Sequence, residues 1–446
     1  MRFPITIDTP VGFAAELPAR ADVVVIGGGI IGVMTAYYLA ERGAKVVLCE
    51  KGRIAGEQSS RNWGWIRQQG RDPAELPIVM ESLRIWQDLA RGLGDPLGYR
   101  ETGVMYLANE EGDMAGFQAW LDMVAGSGVD SRLISGAEVA QMIPSARADW
   151  KGGLWTASDA RAEPFVAVPL LARLAAEKGV TIRENCAVRC LDIAAGQVAG
   201  VVTEAGRIAC DQVVVAAGAW SRLFLRAHGV RIPQLSVLAS VAATEPLPEV
   251  FAGAAADSYF AFRRRVDGGY TLAPGDHHDF WIGPDAFREF FTYLPLIGRT
   301  FSNTGFRPMA PRGFPDAWST PRWLDGDLES PFERLRILDP KPNRRAIGRL
   351  RDRFAGAFPG IGRPKIAAAW AGMIETMPDI VPVIDRAPLG GLIIATGLSG
   401  HGFGIGPGMG RVIADLTLGR DPGHDLTRFR LSRFSDGTKL VPGPSL

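Results

Sequence analysis

The stretch from Asp22 to Glu50 constrains this chain more than any other. A short apolar run, Val23-Val24-Val25-Ile26, leads into Gly27-Gly28-Gly29-Ile30-Ile31-Gly32; a helical segment and a second apolar run then end at Glu50. Strand, glycine turn, helix and strand in that order make a βαβ unit, which predicts a parallel sheet covered by helices. Gly27, Gly29 and Gly32 take the positions of a tight turn, a close approach to pyrophosphate and a helix–strand contact. Ile30 and Ile31 open the helix whose N-terminus favours negative charge. Glu50 follows at about the 20-residue distance at which a carboxylate meets a ribose hydroxyl, with Lys51 beside it. A glycine turn in an ordinary α/β protein is the other reading of the same residues.

The next segment, Gly56-Glu57-Gln58-Ser59-Ser60-Arg61-Asn62-Trp63-Gly64-Trp65, is more than a nicotinamide cofactor requires. Ser59, Ser60 and Arg61 offer hydroxyls and a guanidinium to an anion, as an extended flavin pyrophosphate and ribityl chain would need. In Trp63-Gly64-Trp65 two aromatics flank a residue with no side chain, so a flat ring system can pack against the backbone there; two core tryptophans are the alternative. Near the end, Gly397-Leu398-Ser399-Gly400-His401-Gly402-Phe403-Gly404 precedes a helix. Its N–H groups and the helix dipole would stabilise charge on a reduced flavin, with His401 either in that neighbourhood or purely structural. The apolar strand from Gln212 turns at Ala217-Gly218-Ala219-Trp220. In Arg263-Arg264-Arg265, alternation puts Arg263 and Arg265 on one face of a strand, where an arginine could hold a substrate carboxylate or line a solvated face.

A chain of 446 residues fits two connected domains. Its formal net charge of +1 gives no reason to expect nucleic acid or an acidic membrane surface as a partner. The residues near Pro4, Asp8, Pro10, Glu16 and Arg20 interrupt any leader-like apolar helix, and other apolar runs fall short of the roughly 20 residues of a membrane span. Cys49, Cys186, Cys190 and Cys210 lack zinc or redox spacing, and no histidine pair suggests a metal; structural thiols in a reducing, cytoplasmic setting are expected. Residues 235 to 300 alternate as sheet strands do, with a hairpin at Asp267-Gly268-Gly269. The expected fold is α/β (α+β): a discontinuous Rossmann-type FAD-binding domain over residues 1–80, 160–225 and 366–446. Threaded through it is an antiparallel-sheet substrate domain over residues 81–159 and 226–365.

Taken together, Gly27 to Gly32 with Glu50, Val213 to Trp220, Trp370-Ala371-Gly372 before Pro378-Asp379, and Gly397 to Phe403 resemble the FAD-dependent D-amino-acid oxidase superfamily, which includes glycine and sarcosine oxidases. Ile54 to Arg61, Trp220 to Phe224 and Ser330-Pro331-Phe332-Glu333 are most similar to bacterial L-amino-acid deaminases. The resemblance implies oxidation of the C–N bond of an amino acid or N-substituted amino acid. It maps flavin contacts onto Ser60, Arg61, Ala187, Val188, Gly218, Gly372 and the tail loop, and a carboxylate-binding arginine onto Arg263. Trp65 and His401 complete the expected reaction site. Gly372-Met373-Ile374 has no cysteine where relatives with covalent flavin carry one, implying non-covalent FAD. Gly269 to Ala273 lacks the lysine that sarcosine oxidases use with oxygen, which leaves oxygen or a respiratory carrier as acceptor and tilts toward the carrier. The tail-loop wording and Trp63 and Trp65 depart from those deaminases, and nothing resembles their N-terminal membrane anchor. Two rival functions are a same-fold enzyme for another amine, such as an opine or polyamine conjugate, and a non-catalytic flavoprotein serving assembly or electron transfer.

Overall fold

The computed structural model describes residues 3–444, so the outermost two residues of each expected terminal span lie outside it. A six-stranded sheet forms around the first βαβ unit. Val23–Ile26 pairs in parallel with Val46–Cys49 on one side and Gln212–Val215 on the other. Thr181–Arg183 extends the sheet beyond Val46–Cys49, and Leu392–Thr396 extends it beyond Gln212–Val215. Only Val383–Arg386, at one edge, runs antiparallel.

The central strand is apolar throughout because both of its faces are covered. Val23 and Val25 enter a core shared with the helices Ile30–Glu41, Leu76–Leu93, Pro164–Glu177 and Gly402–Thr417. Val24 and Ile26 enter a second core, beneath the meander Val188–Ala194, Gln197–Thr203 and Gly206–Ala209 and the helix Ser221–Ala227.

A ten-stranded sheet carries the second layer, built on Val104–Ala108, Ser131–Ser135, Gly152–Thr156 and the strands between Leu235 and Arg307. The hairpin around Asp267-Gly268-Gly269 joins Phe260–Arg264 to Tyr270–Pro274.

Three expectations are corrected. Residues 235 to 300 are not sheet throughout: Pro284–Arg288 and Phe290–Thr300 are helices, and Phe287, Phe290, Phe291 and Leu294 on them are exposed. Their apolar residues read as strand because short helices and strands look alike in sequence. The strand Ile366–Thr376 pairs along its length with Leu235–Thr244, so it belongs to the large sheet rather than to the nucleotide unit. Gly402 and Gly404, expected ahead of the last helix, lie inside the helix Gly402–Thr417, as do Gly406, Gly408 and Gly410. A Cβ at Gly410 would sit 2.5 Å from Met34 Cβ, so this glycine lets the last helix rest directly on the first.

Candidate active site

One elongated cavity of about 390 Å³ runs along the C-terminal edge of the parallel sheet and under the large sheet. At its first end are Gly27, Gly28, Gly29, Ile30, Ile31, Glu50, Lys51 and Val188, with Cys186 beside them. The geometry explains the glycine spacing. Gly27 has φ +111°, and a Cβ at Gly32 would lie 2.0 Å from the Gly27 carbonyl oxygen. Gly32 therefore does not line the cavity; it seats the helix against the turn. Ser59 Oγ accepts the Ile30 N–H at 2.9 Å, occupying one free donor of the helix N-terminus. Glu50 accepts N–H groups from Gly28 at 2.7 Å and Gly52 at 2.6 Å. Burial pushes Glu50 up to about 7, against the opposing pull of Lys51 and those two N–H donors. Lys51 is held by Glu57 at 2.7 Å and lies 4.4 Å from the Trp220 ring centroid.

The middle of the cavity is lined by Ala217, Gly218, Trp220, Arg61, Asn62 and Gly372, together with Gln58 and Glu375. Gln58 Nε2 donates to Glu375 Oε2. Arg61 does not reach outward to an anion. Its guanidinium donates to Gly56 O, Asp339 Oδ1 at 2.7 Å, Ala371 O and Ile5 O, so it ties four separate segments together. Ser60 and Ala187 are buried off the cavity, and the Ala187 N–H is taken by Glu204 at 2.6 Å.

The far end is aromatic and cationic: Trp63, Trp65, Arg67, Arg71, Gly400, His401, Gly402 and Phe403. Gly397 and Gly404 lie behind it. A Cβ on Gly397 would strike Met377, and the Gly404 carbonyl accepts from Ser82 and Trp86. Trp63 and Trp65 meet edge to face, with centroids 5.5 Å apart. Gly64, between them, faces away from the cavity. Its φ is +77°, and a Cβ would meet the Ala162 carbonyl at 2.4 Å and the Arg263 guanidinium at 3.0 Å. The missing side chain makes room for an arginine, not for a flat ring.

That arginine does not stand where a substrate-carboxylate clamp was expected. Arg263 is 1% exposed and does not line the cavity. Its guanidinium grips Glu163, also 1% exposed, through two bonds of 2.9 and 3.0 Å. It also donates to Trp63 O and Thr271 Oγ1. With its fork filled by a carboxylate of the protein, Arg263 fixes the back of the tryptophan loop and has nothing left for a substrate.

The cations that do line the far end are Arg67 and Arg71, which sequence reasoning missed. Arg67 Cζ lies 5.1 Å from the Tyr106 centroid and 5.9 Å from that of Trp65, and Nη1 donates to Gln69 O at 2.6 Å. His401 Nδ1 is 3.5 Å from Glu75 Oε2. Burial first, then the Arg71 charge, push His401 down to about 4, so its ring is neutral at ordinary pH.

The two ends together define a dinucleotide-cofactor site opening into a chamber that can hold a small anion. A family profile described as "FAD dependent oxidoreductase" matches residues 22–416, and the chain belongs to that family. Its cofactor is FAD, and the residues present fit it: a turn free of side chains that could take the pyrophosphate, the Glu50 carboxylate that could meet a ribose, and a long channel beyond. Two solved structures of high similarity are the L-amino acid deaminases of Proteus myxofaciens and Proteus vulgaris. The first, in complex with anthranilate, has a TM-score of 0.90 at 31% identity, covering 96% of this chain and 97% of that one. The second has a TM-score of 0.89 at 31% identity, covering 95% and 100%. Among curated relatives, the mitochondrial sarcosine dehydrogenase of Mus musculus is 25% identical across 95% of this chain, which spans 42% of that protein's length. Glycine oxidase of Pseudomonas putida is 25% identical across 90% of this chain and 95% of its own. Among the described residues no helix is long and apolar enough to cross a membrane, and no cluster of metal-ligating side chains occurs.

Proposed function

We propose that the protein oxidises the C–N bond of an amino acid or N-substituted amino acid. The observation that carries this reading is the single cavity joining an adenosine cradle at Gly27 to Glu50 with an aromatic, cationic chamber at Trp63 to Arg71 and His401. Such a chamber matches a small amine bearing a carboxylate, and both deaminase structures and the glycine oxidase relative support it. FAD, when bound, supplies the two-electron acceptor for the substrate's α-carbon hydrogen. The resulting imine takes up water and gives a 2-oxo acid with ammonia or an amine.

The protein contributes position and field rather than an acid–base pair. Trp63 and Trp65 wall the chamber, and the N-terminus of the helix Gly402–Thr417 points its free N–H groups toward it. His401, neutral and backed by Glu75, serves as a hydrogen-bonding group there, not as a cation. The cavity's cysteines, Cys49 and Cys186, lie at the adenosine end, which favours non-covalent FAD. Among the described residues the one lysine of the cavity wall is Lys51, at that same end and paired with Glu57, which favours a carrier over oxygen as acceptor.

Anaerobic addition of an amino-acid panel, both enantiomers and several N-alkyl forms, to the FAD-loaded protein tests the reading. Bleaching of the oxidised flavin's visible absorption band by at least one member is expected. A flavin that no amine reduces would make the protein a scaffold or an electron-transfer subunit instead.

A further inference from the structure

Arg71 is 4% exposed, yet it lines the chamber and its Nη1 has no hydrogen-bond partner. Among the described residues its side chain donates one hydrogen bond, a long one of 3.4 Å from Nε to Arg67 O. Burial of a guanidinium without a partner is costly, and proteins keep such an arrangement where a ligand completes it. Arg71 stands at the approach to the helix Leu76–Leu93, and its own carbonyl accepts from Trp120 Nε1 at 3.0 Å, which fixes its backbone. Glu75, four residues on, is 0% exposed, and neither carboxylate oxygen has a hydrogen-bond partner. It lies behind the wall, off the cavity, with Arg71 and His401 in front of it.

We propose that Arg71 is the clamp for the substrate carboxylate, and that Glu75 is a positioning residue that holds Arg71 and His401 toward the chamber. This rests on the amino-acid reading above. The guanidinium keeps its Nη1 donor unfilled for an anion, whereas Arg263 has spent both of its Nη atoms on Glu163. Arg67 flanks the clamp and lies against the Trp65 and Tyr106 rings, with Nη1 donating to Gln69 O, which suits it to neutralise rather than to grip.

The charges around Arg71 set how many anionic groups the substrate carries. Arg67 and Arg71 are positive, and His401 is neutral. Burial pushes Glu75 up, but its contact with the His401 ring and the Arg71 charge more than offset that and hold it below the ordinary glutamate value. Burial and the Arg67 charge pull Arg71 down to about 9, still protonated at neutral pH. Asp159, nearby, is pushed by burial up to about 7, and Gln68 and Gln69 donate to it. The surplus is one positive charge at most. The substrate class this favours is an amine with a single carboxylate; a second would exceed the surplus charge.

The test uses the FAD-loaded protein and 2-aminoisobutyrate, an amino acid with no α-hydrogen, with its amide as the neutral counterpart and simple monocarboxylates alongside. Binding is read from the perturbed flavin absorption band. Wild type is expected to bind the carboxylate and not the amide. Arg71→Met should weaken that binding ~10–100-fold, the range for losing a charge-assisted bidentate contact, and Arg71→Lys should fall between. Glu75→Gln should raise KM for the substrate more than it lowers kcat. FAD content and thermal midpoint show whether each variant is folded; if Arg71→Met is not, Arg71→Lys decides. Undiminished binding by folded Arg71 variants, loss confined to Arg67 variants, or a wild-type flavin indifferent to every carboxylate overturns the clamp. Wild type that is bleached by amino acids while Arg71→Met keeps its affinity refutes the clamp and leaves the function standing. Carboxylate binding without bleaching does the reverse.

Discussion

Two buried arginines bracket the tryptophan loop, and their surroundings are opposite. Behind the loop, Arg263 meets Glu163, Trp63 O and Thr271 and has no spare donor direction toward the cavity. In front of it, Arg71 is nearly as buried, yet its Nη1 is unpartnered and it lines the chamber. The contrast separates structure from site. A buried guanidinium whose donors are filled by a carboxylate of the fold is a finished piece of it, whereas one with an unfilled buried donor is waiting for something from solution.

The largest expected effect breaks the finished side. Glu163→Gln strands the Arg263 charge in a dry wall and should lower stability by ~3–5 kcal/mol in urea titration. A loss under ~1 kcal/mol would mean that water reaches the pair and that the contrast with Arg71 is weaker than drawn. Gly32→Ala probes the other end of the cavity. Its Cβ would meet the Gly27 carbonyl at 2.0 Å, so a cost of ~1–3 kcal/mol and FAD lost on gel filtration are expected.

Smaller effects refine the adenosine cradle. Glu50→Gln keeps the shape and removes the charge, and should weaken FAD binding about tenfold, measured by fluorescence quenching on titration. The same carboxylate gives a pH dependence whose sign follows from its shift. Glu50 is raised to about 7 in the protein without cofactor, and ribose hydroxyls favour its ionised form. FAD uptake therefore releases a proton, and affinity should fall as pH drops below about 7, by at most ~10-fold per unit. In Glu50→Gln that slope should flatten, leaving only the share of Glu375, which burial also pushes up to about 7. An unchanged slope would assign the effect to Glu375 alone.

The adenosine end was legible in the sequence because its parts are local. Strand, turn, helix and Glu50 lie on one βαβ unit, so spacing alone brings Gly27 and Glu50 to one end of the cavity and seats Gly32 against the turn. The far end was not. Alternation put Arg263 on one face of its strand, but what that face meets depends on Glu163, a hundred residues away in sequence. Arg67 and Arg71 sit in a loop with no periodicity to orient them, and Arg71 gains meaning only from the absence of a partner, which no sequence pattern records. Their one available signal was proximity, since both follow Trp65 within six residues. Arg61 misled in the other direction: it adjoins the cofactor channel, yet its donors serve Ile5, Gly56, Asp339 and Ala371. Gly402 and Gly404 read as loop because glycine marks turns, whereas glycine within this helix permits two helices to touch.

The most direct test of the account is the rate at which an amino acid reduces the bound flavin under anaerobic conditions, compared with its amide and its decarboxylated amine, in wild type and Arg71→Met. The account predicts fast reduction by the amino acid alone, with the advantage over the amide collapsing in the variant. Equal reduction by all three, or an advantage that survives in a folded Arg71→Met protein, would contradict it.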